Sequence, residues 1–132
     1  MIAYCKNSEI PIIVSTGSGG RMDPSQVKVT DLALTERDPL ARAVRGILRE
    51  KYDFPKGEGN AFGIPAVYSI EPATEPEELH YDEGKGFRCV CPNNDNPYFN
   101  CDNRNLIMGN AVFVTGTFGF VCAAHVVQEL IR

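Results

Sequence analysis

The feature that most restricts the fold of this chain is an uncharged segment near its end. From Leu106 to Val127 no residue is charged, and this length is enough to cross a bilayer as a helix. Four polar side chains and three glycines dilute its hydrophobicity, however, and an all-round apolar helix is also typical of a core or a dimer interface. We therefore favour a buried helix over residues 112–131, with membrane attachment as the less favoured alternative. Gly116 and Gly119 are expected to allow close approach of another backbone.

A second, amphipathic helix is predicted in the run RDPLARAVRGILREKY. Asp38 is a suitable N-cap, because its carboxylate can accept from the free N–H groups of the first turn, and Pro39 fits the first helical position. Apolar spacing predicts one buried face made of Leu40, Ala43, Val44, Ile47 and Leu48. On the other side lie Arg42, Arg45 and Arg49, either as an ordinary solvated face or as a row that contacts phosphates.

The run IPIIVSTGSGGRMDPSQVKVTDL, residues 10–32, places a glycine-rich loop between two apolar segments. A nucleotide-binding loop needs a helix directly after its glycines, because the helix N-terminus supplies the N–H groups that hold the phosphate. Here the alternating run QVKVT follows and predicts a strand instead. The pattern is therefore strand, loop, strand, and the glycines alone do not predict a phosphate loop.

Length and composition indicate one α/β domain. With 132 residues, 43% of them hydrophobic, the chain can bury one core and is too short for two ordinary domains. A third strand is predicted over residues 64–71, followed by a long polar loop over residues 72–105 that contains a short strand, FRCVC. The net charge of −4 excludes a generally basic nucleic-acid binder. Nine of the 13 Lys and Arg residues lie within residues 1–57, so an anionic partner should contact the first half.

The five cysteines favour a reduced, intracellular protein, because their number is odd and residues 1–6 lack the apolar core of a signal peptide. Cys89, Cys91 and Cys101, with His80 upstream, match the knuckles of structural zinc sites poorly. Reduced loop thiols are the favoured interpretation, and no metal site is predicted.

Other candidate chemical groups favour structural roles. Cys122 and His125 lie on the apolar last helix and are expected to be inert core side chains. Paired carboxylates such as Glu77 and Glu78 are expected to keep the acidic stretch solvated. From the residues alone, no complete active site is recognisable.

Several motifs follow one another in the order found in a known family. They are the glycine-rich loop with Asp23-Pro24, Val29-Thr30-Asp31-Leu32, Asp38-Pro39-Leu40-Ala41, and Phe113-Val114-Thr115-Gly116-Thr117-Phe118-Gly119. With these motifs the chain resembles the C-terminal half of the tRNA threonylcarbamoyladenosine dehydratase family. That family belongs to the ThiF/MoeB/HesA group, which is related to ubiquitin-activating enzymes. The resemblance weakens between Pro72 and Asn105.

The resemblance implies an α/β fold, the C-terminal half of a ThiF/MoeB-like Rossmann-type fold. It would have a mixed sheet, a basic amphipathic helix and a long apolar C-terminal helix. Residues 1–132 would form a single domain that is a C-terminal fragment of such an enzyme. The implied reaction is ATP-dependent activation of the carboxylate of threonylcarbamoyladenosine, beside the tRNA anticodon, followed by cyclisation with loss of water.

The same resemblance implies cofactors and partners for the full-length enzyme. ATP, a divalent cation, a tRNA substrate, a homodimer and a cytoplasmic location follow from it, and a sulfur-transfer protein is a further candidate partner. In the family the nucleotide and metal-binding residues lie on the N-terminal half, and we expect the catalytic residues there too. We therefore expect the fragment alone to hold no cofactor and to be inactive.

With this resemblance the glycine-rich loop is expected to be a substrate-side or ion-side loop at the end of a sheet strand, near the nucleotide half of the enzyme. The candidate substrate-binding residues are Gly17, Gly19, Gly20, Arg21 and Asp23, with tight-turn glycines and a salt-bridged Arg21 as the structural alternative. Arg42, Arg45 and Arg49 are the candidate tRNA-binding residues.

Two other functions remain open. One is an adenylyltransferase for a ubiquitin-like sulfur carrier, which commonly has the C-x2-C zinc knuckles that this chain lacks. The other is a non-catalytic dimerisation or binding module, which the apolar last helix favours.

Overall fold

The computed structural model describes residues 1–57, 59–77 and 108–132. The predicted strand FRCVC and the group of His80, Cys89, Cys91 and Cys101 lie outside the described residues, as does most of the predicted polar loop. The described helices and strands are, in chain order, α1 Ile2–Asn7, β1 Val14–Ser15, β2 Val27–Asp31, α2 Pro39–Lys51, β3 Pro65–Ser69 and α3 Val112–Leu130. Short 3₁₀ turns at Pro24–Gln26 and Leu32–Leu34 precede and follow β2.

The three strands form a sheet in the order β1-β3-β2, so β3 is central. β1 runs parallel to β3, with Val14 opposite Ala66, whereas β2 is antiparallel to it, with Val29 opposite Val67. The prediction of a mixed sheet is therefore confirmed. The alternating run QVKVT lies in the 3₁₀ turn and β2, and the apolar run IPAVYSIE supplies β3, because a central strand is covered on both faces.

The core lies on both faces of the sheet, because successive side chains of β3 point in opposite directions. Ala66 belongs to a cluster with residues of α1, α2 and the segment before β3, including Leu48, Phe62 and Ile64. Val67 faces the other way and packs with two residues of α3, Val114 and Phe118. Each large apolar side chain buried in this way contributes about 1.5–3 kcal/mol. The sheet thus separates α1 and α2 from α3.

α2 forms where it is predicted, but the predicted buried face is wrong in part. Leu48 is buried and Val44 packs against the core, whereas Ala43 is exposed and Leu40 and Ile47 are 55% and 48% exposed. The helix turns Ala41 towards the core instead. Periodicity locates an apolar stripe, but the packing partner decides which part of that stripe is covered.

α3 also forms where it is predicted, but it is not the fully buried helix that we favoured. Val114 and Phe118 are its buried residues, and only 11% of its apolar 18-residue window is buried. Among the described residues, it is the one helix long and apolar enough to cross a membrane. Large exposed side chains include Val112, Phe113, Phe120, Leu130 and Ile131. A Cβ on Gly116 or Gly119 would meet nothing within 4 Å, so no described segment approaches them closely.

Candidate substrate-binding site

The glycine-rich loop follows β1 directly, so it lies at the carboxyl end of that strand, where ligands gather in open α/β sheets. Its last glycine is held between two other segments. The Gly20 N–H donates to the Gly109 carbonyl at 2.8 Å, and the Gly20 carbonyl accepts from the Thr74 N–H at 2.7 Å. Gly20 has a φ of 70°, and a Cβ there would lie 2.8 Å from the Thr74 oxygen. Only glycine fits this position without strain.

Asp38 links the start of the loop to α2. Its Oδ1 accepts the Ala41 N–H at 2.9 Å, as a helix cap does, and its Oδ2 accepts the Gly17 N–H at 2.7 Å. The predicted capping role is therefore confirmed. Asp38 is 5% exposed, so both of its oxygens are satisfied inside the protein. One carboxylate thus fixes the position of the loop relative to the helix.

Glu71, just after β3, holds the second half of the loop. Its carboxylate accepts hydrogen bonds from the Met22 N–H at 3.0 Å and the Asp23 N–H at 2.9 Å. Asp23 in turn caps the 3₁₀ turn at Pro24–Gln26. Hydrogen bonds from the hydroxyl and the N–H of Ser25 lower the pKa of the Asp23 carboxyl. Asp23 therefore stays ionised near neutral pH.

Arg21, which directly follows the loop glycines, is buried. Its side chain is 2% exposed, and its Nη2 donates to the Arg37 carbonyl at 2.6 Å. Nε and Nη1 are buried with no hydrogen-bond partner among the described residues, and no described carboxylate lies within salt-bridge distance. The structural alternative of a salt-bridged Arg21 is thus not seen in this part of the chain. Its role in substrate binding remains a prediction.

Two open cavities share Glu36 and Arg37 as lining residues. The first, here called the arginine cavity, has a volume of about 460 Å³ and is lined by Thr35, Glu36, Arg37, Asp38, Pro39, Arg42 and Arg45. The second, the loop cavity, has a volume of about 530 Å³ and is lined by Asp23, Gln26, Glu36, Arg37, Ile70, Glu71 and Pro72. Of the predicted substrate-binding residues, Asp23 reaches a cavity wall, whereas Gly17, Gly19, Gly20 and Arg21 shape the loop behind it.

The three arginines of the predicted row have different surroundings. Arg42 and Arg45 line the arginine cavity, and the Arg45 Nη1 donates to the Thr35 hydroxyl. Arg49 points elsewhere: its guanidinium lies 5.2 Å from the centre of the Phe62 ring and donates to the carbonyls of Pro55 and Gly57. These contacts give Arg49 a packing role. Its contact with tRNA remains a prediction.

Arg45 has an unusual environment for an arginine. Partial burial lowers the pKa of its guanidinium, the positive charges of Arg49 and Arg42 lower it further, and Asp38 opposes this effect. Excess positive charge is therefore concentrated beside the arginine cavity. A bound anion there would reduce the mutual repulsion.

Sequence reasoning missed the structural role of Asp31, at the end of β2. Its Oδ1 accepts the N–H groups of Ala33 and Phe62, both at 2.8 Å, and its Oδ2 accepts those of Gly63 and Ile64 at 2.7 and 3.1 Å. Burial alone would raise the pKa of Asp31, but these four donors outweigh it and the pKa is lowered. The available signal was an Asp directly before a short helical turn, a frequent capping position.

Among the described residues, no side chain gives the two candidate groups on α3 a catalytic geometry. Cys122 is half-buried against the cluster of Val67, Val114 and Phe118, and burial raises the pKa of its thiol. A raised pKa leaves less of the thiol ionised, and the inertness of Cys122 remains a prediction. His125 is half-buried on the same helix.

Comparison with known proteins shows which enzymes this chain is similar to. The chain is 36% identical over 132 residues to the tRNA threonylcarbamoyladenosine dehydratase of Haemophilus influenzae, and the match covers all of this chain and 45% of that protein. Over its whole length the chain is therefore similar to one part of the tRNA threonylcarbamoyladenosine dehydratases. It spans about half the length of the curated relatives that it matches. No protein-family model matches it.

Crystal structures of the Escherichia coli dehydratase support the same assignment. The structure in complex with AMP superposes on 98% of this chain with a TM-score of 0.73 and 31% identity, and the match covers 42% of that chain. A second structure, in complex with ATP, gives a TM-score of 0.69 over the same share of this chain and 41% of its own. The described fold is therefore that of one part of a dehydratase.

Proposed function

We propose that these 132 residues act within an ATP-dependent tRNA threonylcarbamoyladenosine dehydratase. One observation carries the proposal: the match to the dehydratases extends over the whole chain in both sequence and fold. The reaction would activate the carboxylate of threonylcarbamoyladenosine beside the anticodon and cyclise it with loss of water. Because the match covers about half of each relative, the chain would supply one half of the enzyme as a single domain.

In the proposed enzyme, the nucleotide would bind to the half that these 132 residues do not include. The glycine-rich loop of this chain is followed by a 3₁₀ turn and β2, so it does not present the N-terminus of a helix to a phosphate. The AMP and ATP complexes of the E. coli enzyme support ATP as the cofactor of the complete protein. A divalent cation belongs to the same proposal and rests on the family resemblance.

This half would contribute the substrate side. The loop is fixed at three points, by Asp38 at Gly17, by Gly109 at Gly20 and by Glu71 at Met22, so it can hold a substrate group without rearranging. Gly17, Gly19, Gly20 and Arg21 would set its shape, and Asp23 would face the ligand from the loop cavity. Pre-organisation of this kind lowers the entropy cost of binding.

The tRNA would contact the same face through Arg42 and Arg45. Both line an open cavity next to the loop, and both are guanidinium groups, which suit phosphate oxygens. Arg49 is not among the proposed tRNA-binding residues, because its guanidinium is hydrogen-bonded to the turn at residues 55–57.

The exposed face of α3 would contact a second copy of the chain. Phe120 and Leu130 are 79% and 80% exposed, and apolar surface of this extent on a soluble protein usually marks an interface. Sedimentation of the purified protein should show a dimer that Phe120→Ser weakens and Tyr4→Ser, on α1, does not. A monomer at all protein concentrations would contradict the proposed contact between two copies. The cytoplasmic location rests on the cysteine usage and on the family resemblance, and a sulfur-transfer partner rests on the resemblance alone.

The function is tested by product formation. The protein encoded by the complete reading frame that contains these residues is incubated with ATP and with tRNA that carries threonylcarbamoyladenosine. Mass spectrometry of the nucleosides should then show a cyclic product that has lost one water, and only when ATP is present. Absence of this product, with folded protein and intact modified tRNA, would rule the proposal out.

A further inference from the structure

The volume of the arginine cavity and the charges of its lining residues suit an oxyanion. The cavity lies between the segment Thr35–Pro39 and the first turns of α2, and its volume is about 460 Å³. A water molecule occupies about 30 Å³ in the liquid, so the cavity has room for a tetrahedral oxyanion with part of its hydration shell. It is open to solvent, so a group attached to a large molecule can enter.

The balance of charge in the cavity favours an anion. Three of its lining residues are arginines, Arg37, Arg42 and Arg45, and two are acidic, Glu36 and Asp38. Asp38 is buried and both its oxygens are engaged by N–H groups of Gly17 and Ala41. Glu36 is therefore the one lining carboxylate that is exposed and available to neutralise the three guanidinium groups.

A fourth positive charge lies behind the cavity wall. The buried Arg21 donates to the carbonyl of Arg37, and its two remaining nitrogens have no partner among the described residues. A buried charge without a counter-ion is costly, and the cost falls when an anion binds nearby. Arg21 thus adds to the positive field at Arg37 without itself touching a ligand.

We propose that the arginine cavity binds a phosphate group through Arg37, Arg42 and Arg45. Guanidinium groups bind phosphate through paired N–H donors, and three of them around one cavity suit a multiply charged oxyanion better than a single carboxylate. The proposal adds Arg37 to the predicted arginines and removes Arg49, because Arg49 is committed to Phe62 and the turn after α2. That the phosphate belongs to the tRNA backbone rests on the proposed function, whereas phosphate binding itself does not.

The first experiment uses the 132-residue chain and inorganic phosphate as the probe. Titration by phosphorus NMR, at constant ionic strength, should show saturable binding that acetate does not displace. In the double variant Arg37→Gln with Arg42→Gln the affinity should fall about tenfold or more, because charged hydrogen bonds are lost. The matched control, Lys51→Gln with Lys56→Gln, removes the same charge outside the cavity and should bind as the unchanged chain does. An equal loss of phosphate affinity in the two double variants, or displacement of the bound phosphate by acetate, would overturn the proposal.

The second experiment identifies the source of the phosphate. If tRNA displaces inorganic phosphate from the chain, the group belongs to the polynucleotide; if only pyrophosphate does, the tRNA assignment is wrong. In the complete protein the double variant should raise KM for tRNA with little change in kcat. An unchanged KM would overturn the inference and leave the dehydratase assignment standing. Absence of product from the unchanged protein would contradict the assignment and leave phosphate binding standing.

Discussion

The carboxylate of Asp38 caps α2 and also accepts the Gly17 N–H at 2.7 Å. The two residues are 21 positions apart, and their contact joins the glycine-rich loop to the helix that carries the cavity arginines. A single buried side chain therefore sets the geometry between the two parts of the candidate site. The order of the site depends on this carboxylate.

Asp38→Ala should therefore destabilise the protein and loosen the loop. Loss of an N-cap costs about 0.5–2 kcal/mol, and the Gly17 N–H would lose a charged acceptor as well, so we expect a total loss of about 2–4 kcal/mol. Chemical denaturation measures this change. The control is Glu50→Ala, which removes an exposed carboxylate from the same helix and should change stability by less than about 0.5 kcal/mol. Similar stabilities for the two variants would contradict the assigned role.

Asp31 should make stability depend on pH in the acid range. Its pKa is lowered in the folded protein, so its ionised form stabilises the fold above the ordinary carboxyl pKa of about 3.9, and that stabilisation is lost as the pH falls through the lower folded value. Asp31→Asn should be less stable at neutral pH and lose less stability below about pH 4. Thermal unfolding across this range tests it. Asp53→Asn, at an exposed site, should keep the acid dependence of the unchanged protein.

Replacing Arg49 should mainly reduce the stability of the fold, whereas replacing Arg42 should mainly weaken tRNA binding. Arg49→Ala removes a cation–π contact and two hydrogen bonds to carbonyls, so we expect a loss of about 1–2 kcal/mol of stability and no change in tRNA affinity. Arg42→Ala should leave stability nearly unchanged, weaken tRNA binding and make it less dependent on salt, because one phosphate contact is lost. Denaturation and tRNA titration at several salt concentrations measure both effects. A loss of tRNA affinity in Arg49→Ala as large as that in Arg42→Ala would contradict the separate roles and indicate that the whole row contacts tRNA.

Gly20→Ala should be strongly unfavourable. The position has a φ of 70°, and the added Cβ would lie 2.8 Å from the backbone oxygen of Thr74, which cannot move without shifting the chain. We expect a loss of about 1–3 kcal/mol. Gly116→Ala is the matched control, because its Cβ has open space in a helix and alanine is the better helix former, so it should not destabilise the fold. A tolerated alanine at residue 20 would contradict the described loop geometry.

Local signals in the sequence predicted the elements well. Asp38 and Pro39 fix the start of α2 through the capping of neighbouring N–H groups, and the alternation in QVKVT fixes β2, since these effects act within a few residues. The buried sides of α2 and α3 were not predictable in this way. Leu40 and Ile47 have the same spacing as buried residues, but no described element covers them. Whether a helix side chain is exposed depends on the neighbouring elements, and the periodicity of the sequence does not identify these.

The candidate site was predictable only in part. The glycine-rich loop and the arginines were found because their residue types are distinctive. The carboxylates that hold the loop and the turn before β3 were missed, because Glu71 and Asp31 act on N–H groups more than 30 positions away. Arg37 was missed because it precedes the helix and so falls outside the helical pattern. Long-range contacts of this kind require the fold to be known.

The central claim is that these residues serve the substrate side of a dehydratase whose nucleotide is held by other polypeptide. The most direct test is equilibrium binding of ATP to the folded 132-residue chain and to the protein from the complete reading frame, measured side by side. We predict saturable binding to the complete protein and none to the chain alone. Tight, saturable ATP binding by the chain alone would contradict the claim.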